Sequence, residues 1–311
     1  MNNQIKRINL NHSFIFFLFC NILSLIFLNI NNFKISPLIC LFLVFSIGVS
    51  HGSLDHLKGE KLIKILKIKN ILVFYLIYIS ITFAVIILWT IAPSVSLIIF
   101  LVVAAYHFGK EDTQFLVIEN SLFNQFLFFL KGTLVILAPL YFHFDETVSI
   151  FKLLLVDNET FYKSLSFIET NKILLIGMIL STFSSVMLFA KRFEIKKFTI
   201  FLDFFSILIL NYYFSPLLAF TFYFCFLHSV RHIISLVSEL DQHNLSNGFI
   251  IFINKSLPLT ILTAFFCLIG LYFLNNTYDF TNSVLKVIFI GLASLTFPHI
   301  LLEYFIEKNE K

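Results

Sequence analysis

His228 and His232, in "FCFLHSVRHI", stand four residues apart inside an apolar run. On an α-helix that spacing stacks two imidazoles on one face, where both can hold one metal ion. Neutral imidazole suits iron, zinc or copper, and it can equally bind neighbouring helices together through hydrogen bonds. Two further histidines sit beside glycines, which let a backbone or a ligand come close: His107 in "AAYHFGKED" and His51 in "GVSHGSLDH". Taken singly, each reads equally as a helix-end residue that caps or meets water. Asp55, Asp112 and Glu303 are acids that could accept the distal ring N–H of a ligating imidazole. Glu303 reads more simply as a solvated helix-end charge, and Arg231 as a side chain snorkelling to the aqueous boundary.

The elements that must position these groups follow from composition. The chain has 311 residues, 59% hydrophobic and 13% charged, with a mean hydropathy of +0.92. Repeated apolar runs approach the length that crosses about 30 Å of hydrocarbon, so the fold class is all-α, a polytopic helical bundle in a membrane. Ten spans are predicted, at 13–30, 37–53, 71–90, 94–109, 121–142, 173–190, 198–213, 216–238, 256–275 and 284–305. Pro37, Pro93, Pro216 and Pro258 fall near span starts, where a missing N–H costs nothing. No repeat or linker divides the chain, so 1–311 reads as a single transmembrane domain. The first apolar run lacks a small-residue cleavage pattern and reads as a retained helix. Cys20, Cys40, Cys225 and Cys267 form no CxxC pair and suggest neither a disulfide framework nor a thiolate site. The 43 phenylalanines would suit an aromatic-lined tunnel, although biased composition accounts for them as well.

Lys and Arg favour cytoplasmic loops. With the N-terminus inside, sixteen fall on the inner side, from Lys6 and Arg7 through Lys191, Arg192, Lys196 and Lys197 to Lys308 and Lys311. Lys34, Lys152, Lys163 and Lys172 fall opposite. That separation predicts both termini in the cytoplasm. "HLKGEKLIKILKIK" reads as a short basic helix on the inner surface.

This topology gathers His51, His107, His228, His232 and His299 into the cytoplasmic half of the bundle, at overlapping depths, all from spans running outside to inside. Chance would scatter them over both faces, and an ionisable group among lipid-facing helices is by default functional. His12, His143 and His243 fall in termini or loops and carry no assigned role. Asp203 and Lys131 also read as intramembrane, with a mutual or a backbone partner.

At these residues the sequence resembles the Brp/Blh family of membrane β-carotene 15,15'-dioxygenases. The likeness runs from "GVSHGSLDH" through "YHFGKED" and "YFCFLHSVRH" to "IFIGLASLTFPHILLEYF". It implies one Fe2+ held by His51, His107, His228 and His232, with Asp55, His56, Asp112, Arg231 and His299 in supporting positions. It departs from the family at Ser50, where a proline usually precedes the first histidine.

The resemblance further implies cleavage of β-carotene by O2 at its central double bond, yielding two molecules of all-trans-retinal. The site would lie in the inner membrane, open to lipid, with no nucleic-acid partner and with a retinal-binding rhodopsin as a recipient. Four neutral imidazoles suit such chemistry, and no Ser-His-Asp set or P-loop points to a hydrolase or an ATPase. A pigment-binding or transport protein without catalysis, and a histidine-ligated haem protein, are the alternatives from other classes. A di-iron desaturase would need a His-His doublet that the chain lacks.

Overall fold

The computed structural model describes residues 3–28, 35–117, 121–190, 198 and 200–309, without the side chains of residues 3, 51, 189 and 200. Lys34, Lys191, Arg192, Lys196, Lys197 and Lys311, used above to orient the chain, lie outside the described residues. Among the described residues the structure is helical throughout.

Seven helices are long and apolar enough to cross a membrane. They comprise α1 (Asn3–Leu28), α4 (Leu72–Ile91), α5 (Pro93–Glu111), the Leu122–Phe142 span, the Pro216–Leu240 span, α14 (Leu245–Leu274) and α15 (Phe280–Asn309). Two bent pairs could make two more: Pro37–Gly48, which begins with α2 (Pro37–Leu43), with Gly52–Ile65, which ends with α3 (Asp55–Ile65), at 42°, and α9 (Glu159–Thr170) with Ile173–Leu188 of α10 (Ile173–Ala190), at 70°. The shorter α11 (Ile200–Tyr213) follows. Within the Leu122–Phe142 span, α6 (Leu122–Gly132) gives way to α7 (Leu134–Phe142) at Thr133; α8 (Phe144–Leu153) comes next. The Pro216–Leu240 span comprises α12 (Pro216–Phe222), a π-helical turn over Tyr223–Ser229 and α13 (Val230–Leu240).

The helix starts have local causes. Ser36 caps α2, its Oγ accepting from the Leu38 N–H, with Pro37 in the first turn. Pro93 and Pro216 open α5 and α12 in the same way. Pro258 does not: α14 starts eleven residues before the predicted span, where Asn244 Oδ1 accepts from the Asn247 N–H, and Pro258 lies inside the helix. The basic stretch after His56 is helical as predicted, in α3, but it is packed rather than only lying on a surface: Leu62 and Ile63 bury against Phe74 and Leu302.

Polarity is arranged inside out. On α14, Leu257, Ile261, Phe265 and Phe266 are all exposed. Buried positions include Asp55, His107, Glu111, Asp112, Asp203 and Arg231. A shell of hydrocarbon side chains around a charged interior is stable only where the surrounding solvent is itself apolar. The fold is therefore that of a membrane protein, and the interior charges must satisfy one another.

Glycine sets the closest approach between helices. A Cβ at Gly109 would run into the carbonyl of Phe128, and one at Gly132 into the carbonyl of Ala105. α5 and α6 thus lie backbone against backbone, the small-residue packing that serves where lipid removes any hydrophobic drive. Gly270, on α14, would meet nothing within 4 Å. Gly109→Ala should lower the thermal midpoint of the detergent-purified chain, with a cost of about 1–3 kcal/mol from overpacking. Gly270→Ala should leave the midpoint unchanged or raise it slightly.

Candidate metal centre

Four histidines that the sequence placed at one depth occupy three separate stretches of helix. His107 is near the end of α5, His228 lies in the π-helical turn, His232 in the first turn of α13 and His299 in the middle of α15. All are at most 5% exposed. Ring centroids are 5.1 Å apart for His107 and His228, 5.4 Å for His107 and His299, and 5.6 Å for His232 and His299. The rings meet edge to face, so they bound one common space.

The π-helical turn widens the backbone locally, a feature that often marks functional sites. It packs against a second π-helical turn, Val44–Gly48, which leads into the 3₁₀ turn Val49–Leu54 carrying His51. Gly48 makes this fit possible, because a Cβ there would lie 2.5 Å from Phe224 Cε1. The side chain of His51 lies outside the described residues; its neighbour Gly52 lies against His299, with 4.0 Å from an added Cβ to His299 Nδ1.

Each of three imidazoles gives its Nδ1–H to a buried carboxylate. His228 donates to Asp112 Oδ1 at 3.2 Å, His232 to Glu111 Oε2 at 2.9 Å, and His299 to Asp55, whose two oxygens are both at 2.9 Å. The carboxylates are braced in turn. The Tyr223 hydroxyl donates to Asp112 at 2.6 Å, Gln114 to Glu111 at 2.6 Å, and the Tyr78 hydroxyl to Asp55 at 2.8 Å. With Nδ1 protonated, a neutral ring presents Nε2 as its basic atom, and the carboxylate strengthens that basicity. This is how proteins prepare imidazoles for a metal ion, so the donor set fits one.

Glu303 faces the same space, contrary to its reading as a solvated charge. Its oxygens lie 3.6 Å from His299 Nε2, 3.9 Å from His232 Nε2 and 4.0 Å from His107 Nδ1, and Lys58 donates to it at 2.8 Å. Two triads could each offer one ligand atom per residue with all three atoms within 4.8 Å of one another: His107, His299 and Glu303, and Glu111, His232 and Glu303.

The other predicted site residues sort themselves. Asp112 accepts from the His228 ring and Asp55 from the His299 ring. His56 turns back on its own helix start, donating from Nδ1 to the Ser53 carbonyl at 3.0 Å. Arg231 does not snorkel outward. At 3% exposed, it donates to both oxygens of Asp203, to Ser13 Oγ and to the Asp112 carbonyl, with its guanidinium 5.0 Å from the Phe115 ring centre. Lys131 donates to Thr113 Oγ1 at 2.7 Å. His12, left without a role, lies in α1 and donates from Nε2 to the Phe226 carbonyl at 2.9 Å. Glu111, Tyr78 and Tyr223 went unnoticed in the sequence. The signal for Glu111 was its adjacency to Asp112, since consecutive acids at a helix end diverge by about 100° and can serve two different rings.

Fold and site together define a polytopic helical membrane protein with a buried imidazole–carboxylate centre whose donors suit a metal ion. Residues 42–307 match the family model described as beta-carotene 15,15'-dioxygenase. A protein of that name from uncultured marine bacterium 66A03 is 30% identical over 266 residues, covering 85% of this chain and 91% of that protein. No solved structure matches. The chain belongs to the β-carotene 15,15'-dioxygenase family.

The Arg231–Asp203 pair anchors α13, and with it His232, to α11 and α1. Arg231→Met should destabilise the protein by about 3–5 kcal/mol, because it strands a buried carboxylate. Adding Asp203→Leu should recover much of that loss in the same thermal melt.

Proposed function

We propose that this chain is itself a β-carotene 15,15'-dioxygenase: with Fe2+ held by His51, His107, His228 and His232, it cleaves β-carotene at the central double bond with O2, giving two molecules of all-trans-retinal. The observation that carries this reading is the buried cluster of His107, His228 and His232, the last joined through the ring of His299, with Nδ1–H of His228 and His232 committed to carboxylates. Membership of the family supplies the substrate and the reaction. Iron(II), when bound, supplies a redox-active centre for dioxygen.

The chain's own residues account for the remaining requirements. The four ligands of this reading are neutral imidazoles, and a polyene carries no acidic proton, so no general base is demanded. Phe108 packs edge-on to His228 at 4.8 Å and Phe224 stacks on it at 5.8 Å, an apolar lining that excludes water and suits a hydrocarbon substrate. Edge-to-face imidazoles at 5.1–5.6 Å leave no slot for a porphyrin between them, which favours a bare ion over haem. β-Carotene dissolves in the bilayer and can enter between helices without crossing water.

In this reading 1–311 is one transmembrane domain of the inner membrane with both termini in the cytoplasm. Seven long spans, and up to nine with each bent pair taken as one, support a polytopic bundle; the tenth span of this reading falls on the shorter α11. The product retinal would serve a retinal-binding rhodopsin in the same membrane.

Expression in β-carotene-producing cells tests the function. Orange colour should fade and retinal should be extractable; unchanged carotene, with iron supplied and the protein folded, overturns the reading. Carotene that co-purifies intact would mark a pigment-binding protein instead. His107→Ala or His228→Ala should reduce retinal formation at least 100-fold, while His243→Ala should match the parent.

A further inference from the structure

His299 is built into the centre in the same way as His228. The His228 ring donates to Asp112, which accepts from Tyr223; the His299 ring donates to Asp55, which accepts from Tyr78. These are two imidazole–carboxylate–tyrosine chains, drawn from different helices and converging on the same space. A histidine whose task was to orient another ligand would direct an N–H at that ligand. His299 instead directs its N–H away, to Asp55, and turns Nε2 toward Glu303 Oε1 at 3.6 Å.

That spacing carries chemical meaning. In its neutral form with Nδ1 protonated, His299 presents an Nε2 lone pair to an anionic oxygen, an arrangement that a cation between the two, a proton or a metal ion, stabilises. Two donors about 2.1 Å from one ion lie roughly 3.0–3.4 Å apart at angles of about 90–109°, close to the 3.6 Å seen here. His107 completes the set, since it, His299 and Glu303 offer ligand atoms within 4.8 Å of one another. His299 and Glu303 are themselves four residues apart on α15, the same spacing as His228 and His232. Lys58 holds the carboxylate in place at 2.8 Å, and Gly52 keeps the facing wall free of a side chain.

We infer that His299 and Glu303 form a second ligand pair for the metal, on α15, facing the pair on the Pro216–Leu240 span. This rests on the reading that the centre holds Fe2+. The ion would then be held by more than four imidazoles' worth of protein, including one carboxylate that offsets part of its charge. Asp55 and Tyr78 become the positioning residues for His299, as Asp112 and Tyr223 are for His228.

The test is equilibrium Fe2+ binding to the purified full-length chain in detergent under anaerobic conditions, read by metal analysis at buffered free Fe2+. His299→Ala and Glu303→Gln should each raise the Kd for Fe2+ at least tenfold, and Asp55→Asn by 10- to 100-fold. Free imidazole should restore iron to His299→Gly. Where His299→Ala fails to elute as a folded species, the near-isosteric Asp55→Asn and His299→Gln take its place. Parent-like affinity in the His299 and Asp55 variants, alongside loss of iron in His228→Ala, overturns the inference while leaving the four-histidine reading intact. Parent-like affinity in Glu303→Gln alone also overturns the pair. A parent protein that binds no iron overturns both readings together.

Discussion

Everything at the centre depends on one requirement: an imidazole N–H buried among hydrocarbon must be given an acceptor. Three carboxylates meet it, each itself braced by a hydroxyl or an amide. Two of them, Glu111 and Asp112, stand at the C-terminal end of α5, where the helix dipole disfavours negative charge. Their position makes sense only through what they hold. Asp112 offers one oxygen to His228, the other to Tyr223 and its backbone carbonyl to Arg231. The segment "YHFGKED" thus carries a candidate ligand, the glycine that seats α5 on α6, and the supports for two further rings.

The same requirement explains the irregular backbone. Regular α-helices through Val44–Gly48 and Tyr223–Ser229 would set different faces against each other. The two π-helical turns adjust the register so that the Phe224 ring lies over Gly48, with Ser229 Oγ reaching the Gly48 carbonyl at 3.5 Å. Backbone that departs from helix at membrane depth has to be enclosed by protein. Here each irregular turn encloses the other.

Sequence reasoning reached the helical membrane class, the helix starts at Pro37, Pro93 and Pro216, and the gathering of His107, His228, His232 and His299, because apolar length and spacing are local quantities. It read Arg231 and Glu303 as boundary charges because their partners are remote: Asp203 lies 28 positions from Arg231, and Lys58 lies 245 from Glu303. Periodicity carries no information about such pairings. Asp55 was marked only as an acid that could orient an imidazole, and the ring that it accepts from, His299, lies 244 positions downstream. The early start of α14 was hidden by Pro258, a residue that local reasoning places at a helix start and that a long membrane helix accommodates within itself.

The pairing of α15 with the opening third of the chain orders events during synthesis. Tyr78 and Asp55 can pair as soon as α4 is in place, but Asp55 and Lys58 meet His299 and Glu303 only when the final helix inserts. Glu307, one turn beyond Glu303, then joins Lys110 at the same end of the bundle. Until that moment Asp55 and Lys58 lack the imidazole and the carboxylate that they hold in the finished protein. Insertion of α15 is therefore the event that closes the centre, so the last helix made joins the ends of the chain's history in one set of contacts.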